Sequence, residues 1–140
     1  MARRLISSGS SFEERWGYSR AVVDGRHIHV AGTAPIMPDG ADPPTDSYDQ
    51  ARRCLEIIEA ALAEAGATLA DVVRSRVLVT GLAVIDDVMR AHGEAFGSVR
   101  PAATGIVVAA LFDPRWLVEI EVDAVLPAET GTGPEGPDLD

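Results

Sequence analysis

Val118-Glu119-Ile120-Glu121-Val122-Asp123-Ala124 alternates apolar and acidic residues without a break. Successive side chains of a strand point to opposite faces, so this run predicts a half-buried strand. Val118, Ile120, Val122 and Ala124 take the covered side, and the three carboxylates take the other. The covered side needs a second layer, and helical periodicity supplies it twice. Ala51, Cys54, Leu55, Ile58, Ala61, Leu62 and Ala65 recur at i, i+3, i+4, i+7 spacing, and Ile85, Val88, Met89, His92, Ala95 and Phe96 form a second stripe. Ser47 followed by Gln50 reads as a capping box for the first helix, which runs to about Ala65 with Gly66 just past its end. The second helix is predicted over roughly 84–96.

The remaining strands follow from β-branched runs and turn residues. Residues 18–23 and 26–32 flank Asp24-Gly25, a pair suited to a two-residue type I′ hairpin loop. That loop pairs Val23 with Arg26, Val22 with His27, Arg20 with His29 and Tyr18 with Ala31. Ser19, Ala21, Val23, Ile28 and Val30 then share an apolar face, while Tyr18, Arg20, His27 and His29 share the other. Further strands are predicted over 72–80, 104–111 and 116–126, the last two separated by the turn signal Asp113-Pro114. Hairpin, helix, strand, helix and two strands make an α+β domain of two layers, with both helices on one sheet face.

One domain accounts for residues 1–127; from about Ala128 the composition turns to Glu, Thr, Gly, Pro and Asp, which predicts a flexible acidic tail over 128–140. The formal charge of −10, with no lysine, disfavours nucleic-acid binding, which relies on clustered cations. Cys54 is the lone cysteine, so it forms neither an internal disulfide nor a cysteine-based zinc site. There is no signal-peptide pattern after Met1-Ala2-Arg3-Arg4 and no apolar run of membrane-spanning length. A cytoplasmic setting, without membrane or nucleic-acid partners, is the expectation.

The polar sheet face carries the candidate chemistry. Either it stands in water, or sheets of several subunits meet there and enclose a polar site. Glu119 and Glu121 can serve as general acid and base if burial raises one pKa, or can be balanced by arginine, with Arg20 as the nearest partner on that face. Arg20 can also clamp a substrate carboxylate bidentately. His27-x-His29 has chelating spacing but lacks a third ligand, because His92 falls in the apolar helix stripe as a hydrogen-bonded core or interface histidine; no metal site is expected. No phosphate loop, nucleophile elbow or dinucleotide fingerprint is present, and nothing suggests an organic cofactor.

Several segments carry a family resemblance. They are Gly17-Tyr18-Ser19-Arg20-Ala21-Val22, Val30-Ala31-Gly32-Thr33-Ala34-Pro35, Glu94-Ala95-Phe96-Gly97, Arg100-Pro101-Ala102 and Val118-Glu119-Ile120-Glu121. In order and spacing, over about residues 7–126, the chain resembles the RidA/YjgF family. The resemblance implies a chorismate-mutase-like fold with a mixed sheet, assembled as a homotrimer with a central barrel and clefts between subunits. It also implies hydrolysis of imines and enamines to a 2-oxo acid and ammonia.

The family's Pro-Ala-Arg motif, whose arginine holds the substrate carboxylate, reads Pro101-Ala102-Ala103 here. Gly105 stands where a cysteine is usual, Val107 at an often acidic position, Ala31 at a serine position and Arg90 at a helical asparagine position. By resemblance, Glu119 and Tyr18 are the catalytic candidates, and Arg20, Arg90, Ala31, Ala103, Gly105 and Val107 line the substrate site. Two explanations of the lost arginine stay open: Arg20 or Arg90 replaces its charge, or the substrate carries no carboxylate there. The function implied is hydrolysis of a non-standard imine, enamine or related intermediate. The alternatives are a non-catalytic small-ligand-binding trimer and a tailoring enzyme for a specialised metabolite.

Overall fold

The apolar half of the acid-alternating strand is sealed beneath two helices. In a computed structural model, which describes residues 3–128, Val118, Ile120, Val122 and Ala124 are all buried, and the residues between them are half-buried. The elements are β1 (Arg4–Ile6), α1 (Ser11–Trp16), β2 (Ala21–Asp24), β3 (His27–Thr33) and α2 (Ser47–Glu64). They continue with β4 (Val72–Val79), α3 (Ile85–Phe96), β5 (Ala102–Val107) and β6 (Val118–Val125). The strands form one mixed sheet in the order β1-β2-β3-β6-β4-β5. Only the β4/β5 pair is parallel, as the crossover through α3 requires. The expected two-layer α+β architecture is present. The predicted tail lies, over 129–140, outside the described residues.

The core joins the two predicted helix stripes to the sheet. Cys54, Ile58 and Leu62 of α2, and Val88, Ala91 and Phe96 of α3, are buried with Ile28, Val77 and Ile120. Each fully buried aliphatic side chain contributes about 1.5–3 kcal/mol. Gly66 closes α2 at φ +84, with its N–H donating to Ala63 O and that of Ala67 to Leu62 O, a Schellman arrangement. The start of α2 differs from expectation. Asp46, not Ser47, is the cap, accepting from the Asp49 N–H at 3.0 Å. Gln50 is fully buried and does not complete a capping box. Its amide donates to Pro44 O (2.7 Å) and Arg115 O (2.9 Å), and its Oε1 accepts from the Leu117 N–H (2.8 Å).

The hairpin register is also corrected. Asp24 pairs with His27, Val23 with Ile28 and Val22 with His29, so Gly25-Arg26 is the loop. Positive φ occurs at Gly25 (+62) and not at Arg26, as in a type II′ turn. The slip from the expected pairing is two residues, an even number, so side chains within β2 and β3 keep their predicted faces, whereas Tyr18 and Arg20, expected in the first strand, precede β2. β5 ends at Val107 rather than 111 and does not pair with β6, because β4 lies between them. β1 and α1 were not predicted. α1 starts at Ser10, whose Oγ accepts from the Phe12 N–H, and ends at Gly17 with φ +74.

Candidate active site

Glu119 is the second residue of β6 and lies on the face away from the helices, opposite Leu78 of β4. Its carboxylate rests on Gly32: a Cβ at that position would stand 2.5 Å from Oε1. Any larger residue there would make the carboxylate shift. Gly32 belongs to an irregular step between Val30 and Thr33, where the pairing of β3 with β6 shifts register. Carbonyls released from the ladder need other donors. Arg20 supplies them, its Nη2 donating to Ala31 O at 2.7 Å and to Gly32 O at 2.8 Å. Thr33 Oγ1 also donates to Ala31 O, at 2.8 Å.

Burial pushes the Glu119 pKa up; Arg20 pulls it partly back, and Glu121 adds to the rise. A carboxylate with a raised pKa is suited to take a proton from water or return one to a leaving group. Tyr18 follows the left-handed turn at Gly17 and is 42% exposed, so its phenol is open to a ligand.

Arg20 acts on Glu119 alone of the acids on this strand and forms no ion pair with Glu121 or Asp123. Arg76 of β4 balances those two: its Nη1 contacts Glu121 at 3.0 Å and Asp123 at 3.3 Å, and Asp123 also meets His29 Nδ1 at 2.7 Å. The signal for Arg76 was its place in a strand between Ser75 and Val77, which turn to the covered face. Arg20 instead lines a cleft of about 230 Å³ with Ile6, Arg53, Ile57 and Ala61. His92 is a core histidine, bonded to Ser75 Oγ. Among the described residues, no three His, Cys, Asp or Glu side chains are grouped to hold a metal ion, and no helix is long and apolar enough to cross a membrane.

Comparison with known proteins places the chain in a family. Residues 9–126 match the family described as endoribonuclease L-PSP. A Mycobacterium tuberculosis protein, Rv2704, is described as a member of the YjgF/YER057c/UK114 family. Its crystal structure is 46% identical, with TM-score 0.82, over 89% of this chain and all of that one. The chain belongs to the RidA/YjgF family. SCO2049 of Streptomyces coelicolor, a relative without an assigned function, is 40% identical over 88% of this chain and 92% of its own length. TdcF of Escherichia coli carries the name of a reactive intermediate deaminase and is 29% identical over 77% of this chain and 84% of its own. A TdcF crystal structure with bound serine superposes with TM-score 0.75 at 25% identity, over 89% of this chain and 94% of that one.

Within one chain of this RidA/YjgF-family protein, the implied site residues fall in two groups. Tyr18, Arg20, Ala31 and Glu119 gather where β2 begins, β3 ends and β6 begins. Ala103, Gly105 and Val107 are opposite Ser75, Val77 and Val79 in the parallel β4/β5 pair, which puts them on the sheet face opposite to Glu119. They are exposed because the helices do not cover this edge. Arg90 is elsewhere again. Its guanidinium stacks 3.9 Å over the Tyr48 ring and approaches Asp87 at 3.5 Å, on the surface of α2 and α3.

Three aromatic rings escaped the sequence reading. Phe12 and Trp16 of α1 are 4.7 Å apart between centroids, and Trp16 meets Phe112 edge-on at 6.0 Å. α1 leads into β2 and the Phe112 segment leads into β6, so the rings stand at the Glu119 end of the sheet. Phe112 is 87% exposed. Single large apolar residues on a surface are ordinary, but a cluster of rings marks a contact surface.

Proposed function

We propose that this chain is an imine- or enamine-hydrolysing enzyme that works as a homotrimer, with its cleft between copies. In this reading Tyr18, Ala31 and Glu119 of one subunit face Ala103, Gly105 and Val107 of the next. The observation that carries it is the Glu119 carboxylate, half-buried against Gly32 with its pKa raised by burial. Glu119 takes a proton as water adds to the C=N carbon. The resulting carbinolamine loses ammonia to leave a carbonyl, so that R₂C=NH and H₂O give R₂C=O and NH₃. Tyr18 closes the cleft or donates a hydrogen bond. The lone, reduced Cys54 fits a cytoplasmic setting.

The substrate in this proposal has no carboxylate at the position of Ala103. Both arginines named as replacements for the missing clamp are engaged: Arg20 on two backbone carbonyls, Arg90 on Tyr48 and Asp87. A wall of Ala103, Gly105 and Val107 is wider and more apolar than one bearing arginine. Phe12, Trp16 and Phe112 offer rings to a bulky apolar group, which also suits a tailoring role on a larger metabolite. An endoribonuclease role is disfavoured by the charge of −10 and by a sheet face bearing Glu119, Glu121 and Asp123.

The test compares imines made in situ from benzylamine by an amine oxidase with those made from phenylalanine by an amino-acid oxidase. Ammonia release should be accelerated for the first and less for the second, and Glu119→Gln should remove at least 100-fold of the acceleration. Acceleration unchanged in Glu119→Gln would refute the assignment of the base, and a monomer by sedimentation would refute the shared cleft.

A further inference from the structure

We propose that Arg20 is the positioning residue of this site: its guanidinium, bonded to the Ala31 and Gly32 carbonyls, fixes the backbone step on which the Glu119 carboxylate rests. The role of Glu119 in the reaction belongs to the reading above, while the positioning of its carboxylate is independent of that reading. Three observations converge. The β3/β6 ladder is interrupted between Val30 and Thr33, so the Ala31 and Gly32 carbonyls lie where regular pairing fails. One nitrogen of Arg20 bridges both of them, at 2.7 and 2.8 Å. The same step presents the one residue type, glycine, that lets Glu119 Oε1 come so close to the backbone.

Arg20 thereby acts twice on the carboxylate. It shapes the surface beneath it, and it places a positive charge near a half-buried negative one. The other ionisable group acting on Glu119 is Glu121, two residues along β6, while β4 presents Leu78 directly opposite. Arg20 is thus the one cation among them. Its Nε is buried without a partner among the described residues. A side chain recruited only to hold two carbonyls needs no positive charge, and a neutral amide would serve. Retaining a buried guanidinium, at the cost of an unpaired N–H, has a physical reason if its charge is used by Glu119.

The experiment is a pH titration of the glutamate side-chain carboxyls by carbon-13 NMR on the whole protein, with the Glu119 signal assigned by Glu119→Gln. Arg20→Met should raise the Glu119 midpoint by about one pH unit or more, as expected on losing a nearby opposite charge. Arg20→Lys should recover at least half of that shift. Gly32→Ala, with Arg20 retained, should also move the midpoint, by pushing the carboxylate off the step and changing both its burial and its distance from Arg20. It serves as the second variant if Arg20→Met does not fold. An unchanged midpoint in folded Arg20→Met, or in Gly32→Ala where only that folds, would overturn the proposal. So would equal shifts in Arg20→Met and Arg20→Lys. If the midpoint moves while the acid limb of kcat/KM for the benzylamine-derived imine does not follow, the base assignment fails and the positioning role of Arg20 stands.

Discussion

Ser75 Oγ and His92 Nε2 lie 2.7 Å apart inside the core, joining β4 to α3, with the Phe96 ring 4.8 Å from the imidazole. Burial lowers the His92 pKa below its ordinary 6.5, so the imidazole is neutral in the folded protein at neutral pH. The unfolded chain therefore binds the proton more readily. Stability is fully present above pH 6.5 and falls as pH drops through 6.5 toward the folded value. Glu119 acts in the opposite sense, since its raised folded pKa gives stability that is lost as pH rises from about its ordinary 4.5. Urea midpoints measured from pH 8 to pH 5 in a Glu119→Gln background should fall, and the His92-dependent part of that fall should vanish in a Ser75→Ala/His92→Phe double variant. Ser75→Ala alone should cost about 1–3 kcal/mol, because it leaves a buried ring nitrogen unpaired.

Gln50 binds the start of α2 to the strand entering the site. Its side chain meets three backbone groups, at Pro44, Arg115 and Leu117, two of them just before β6. Gln50→Leu keeps the volume but leaves those groups unpaired, and should lower the unfolding free energy by about 3 kcal/mol. Amide exchange at Leu117 should speed up by a larger factor than at Ile58 in mid-α2. Equal acceleration at both would show only global destabilisation.

Much of this was legible in the chain, and the missing parts have physical reasons. The β6 alternation and the two helix stripes are burial patterns, and burial is what an apolar period records. Hairpin register depends instead on whether Asp24-Gly25 or Gly25-Arg26 makes the turn, a choice between nearly equal local geometries. β1 and α1 span three and six residues, too short for a period to emerge, although Ser10 with Glu13 three positions on was a usable start signal. Arg20 looked like a free cation because sequence spacing does not register backbone carbonyls. Its true partners exist only because β3 steps out of register beside it. The faces of Ala103, Gly105 and Val107 followed from strand alternation, but their separation from Glu119 required the parallel β4/β5 pairing.

Placing an arginine at Ala103 is a direct test of the proposed substrate class. Ala103 is exposed on the edge strand β5, so Ala103→Arg should fold with little loss of stability. A charge-assisted bond to a carboxylate contributes about 1.5–3 kcal/mol, roughly 10- to 100-fold in relative kcat/KM. The variant should therefore shift preference toward the phenylalanine-derived imine by that factor. Unchanged preference would mean that β5 of one subunit does not face the Glu119 pocket of another.

Phe112 separates ring recognition from folding. At 87% exposure its removal takes little apolar area out of the folded core, so Phe112→Ala should lower the unfolding free energy by no more than its Trp16 contact contributes, about 0.5–1.5 kcal/mol. Its ring forms one edge of the Trp16 contact at 6.0 Å, and such edge-to-face pairs contribute about 0.5–1.5 kcal/mol. A substrate ring stacking there should lose a comparable amount, so KM for the benzylamine-derived imine should rise about three- to tenfold with kcat nearly unchanged. An imine from methylamine has no ring and should show no change. Equal losses for both substrates would assign Phe112 to the subunit contact instead, and sedimentation of the variant would then reveal a weakened trimer.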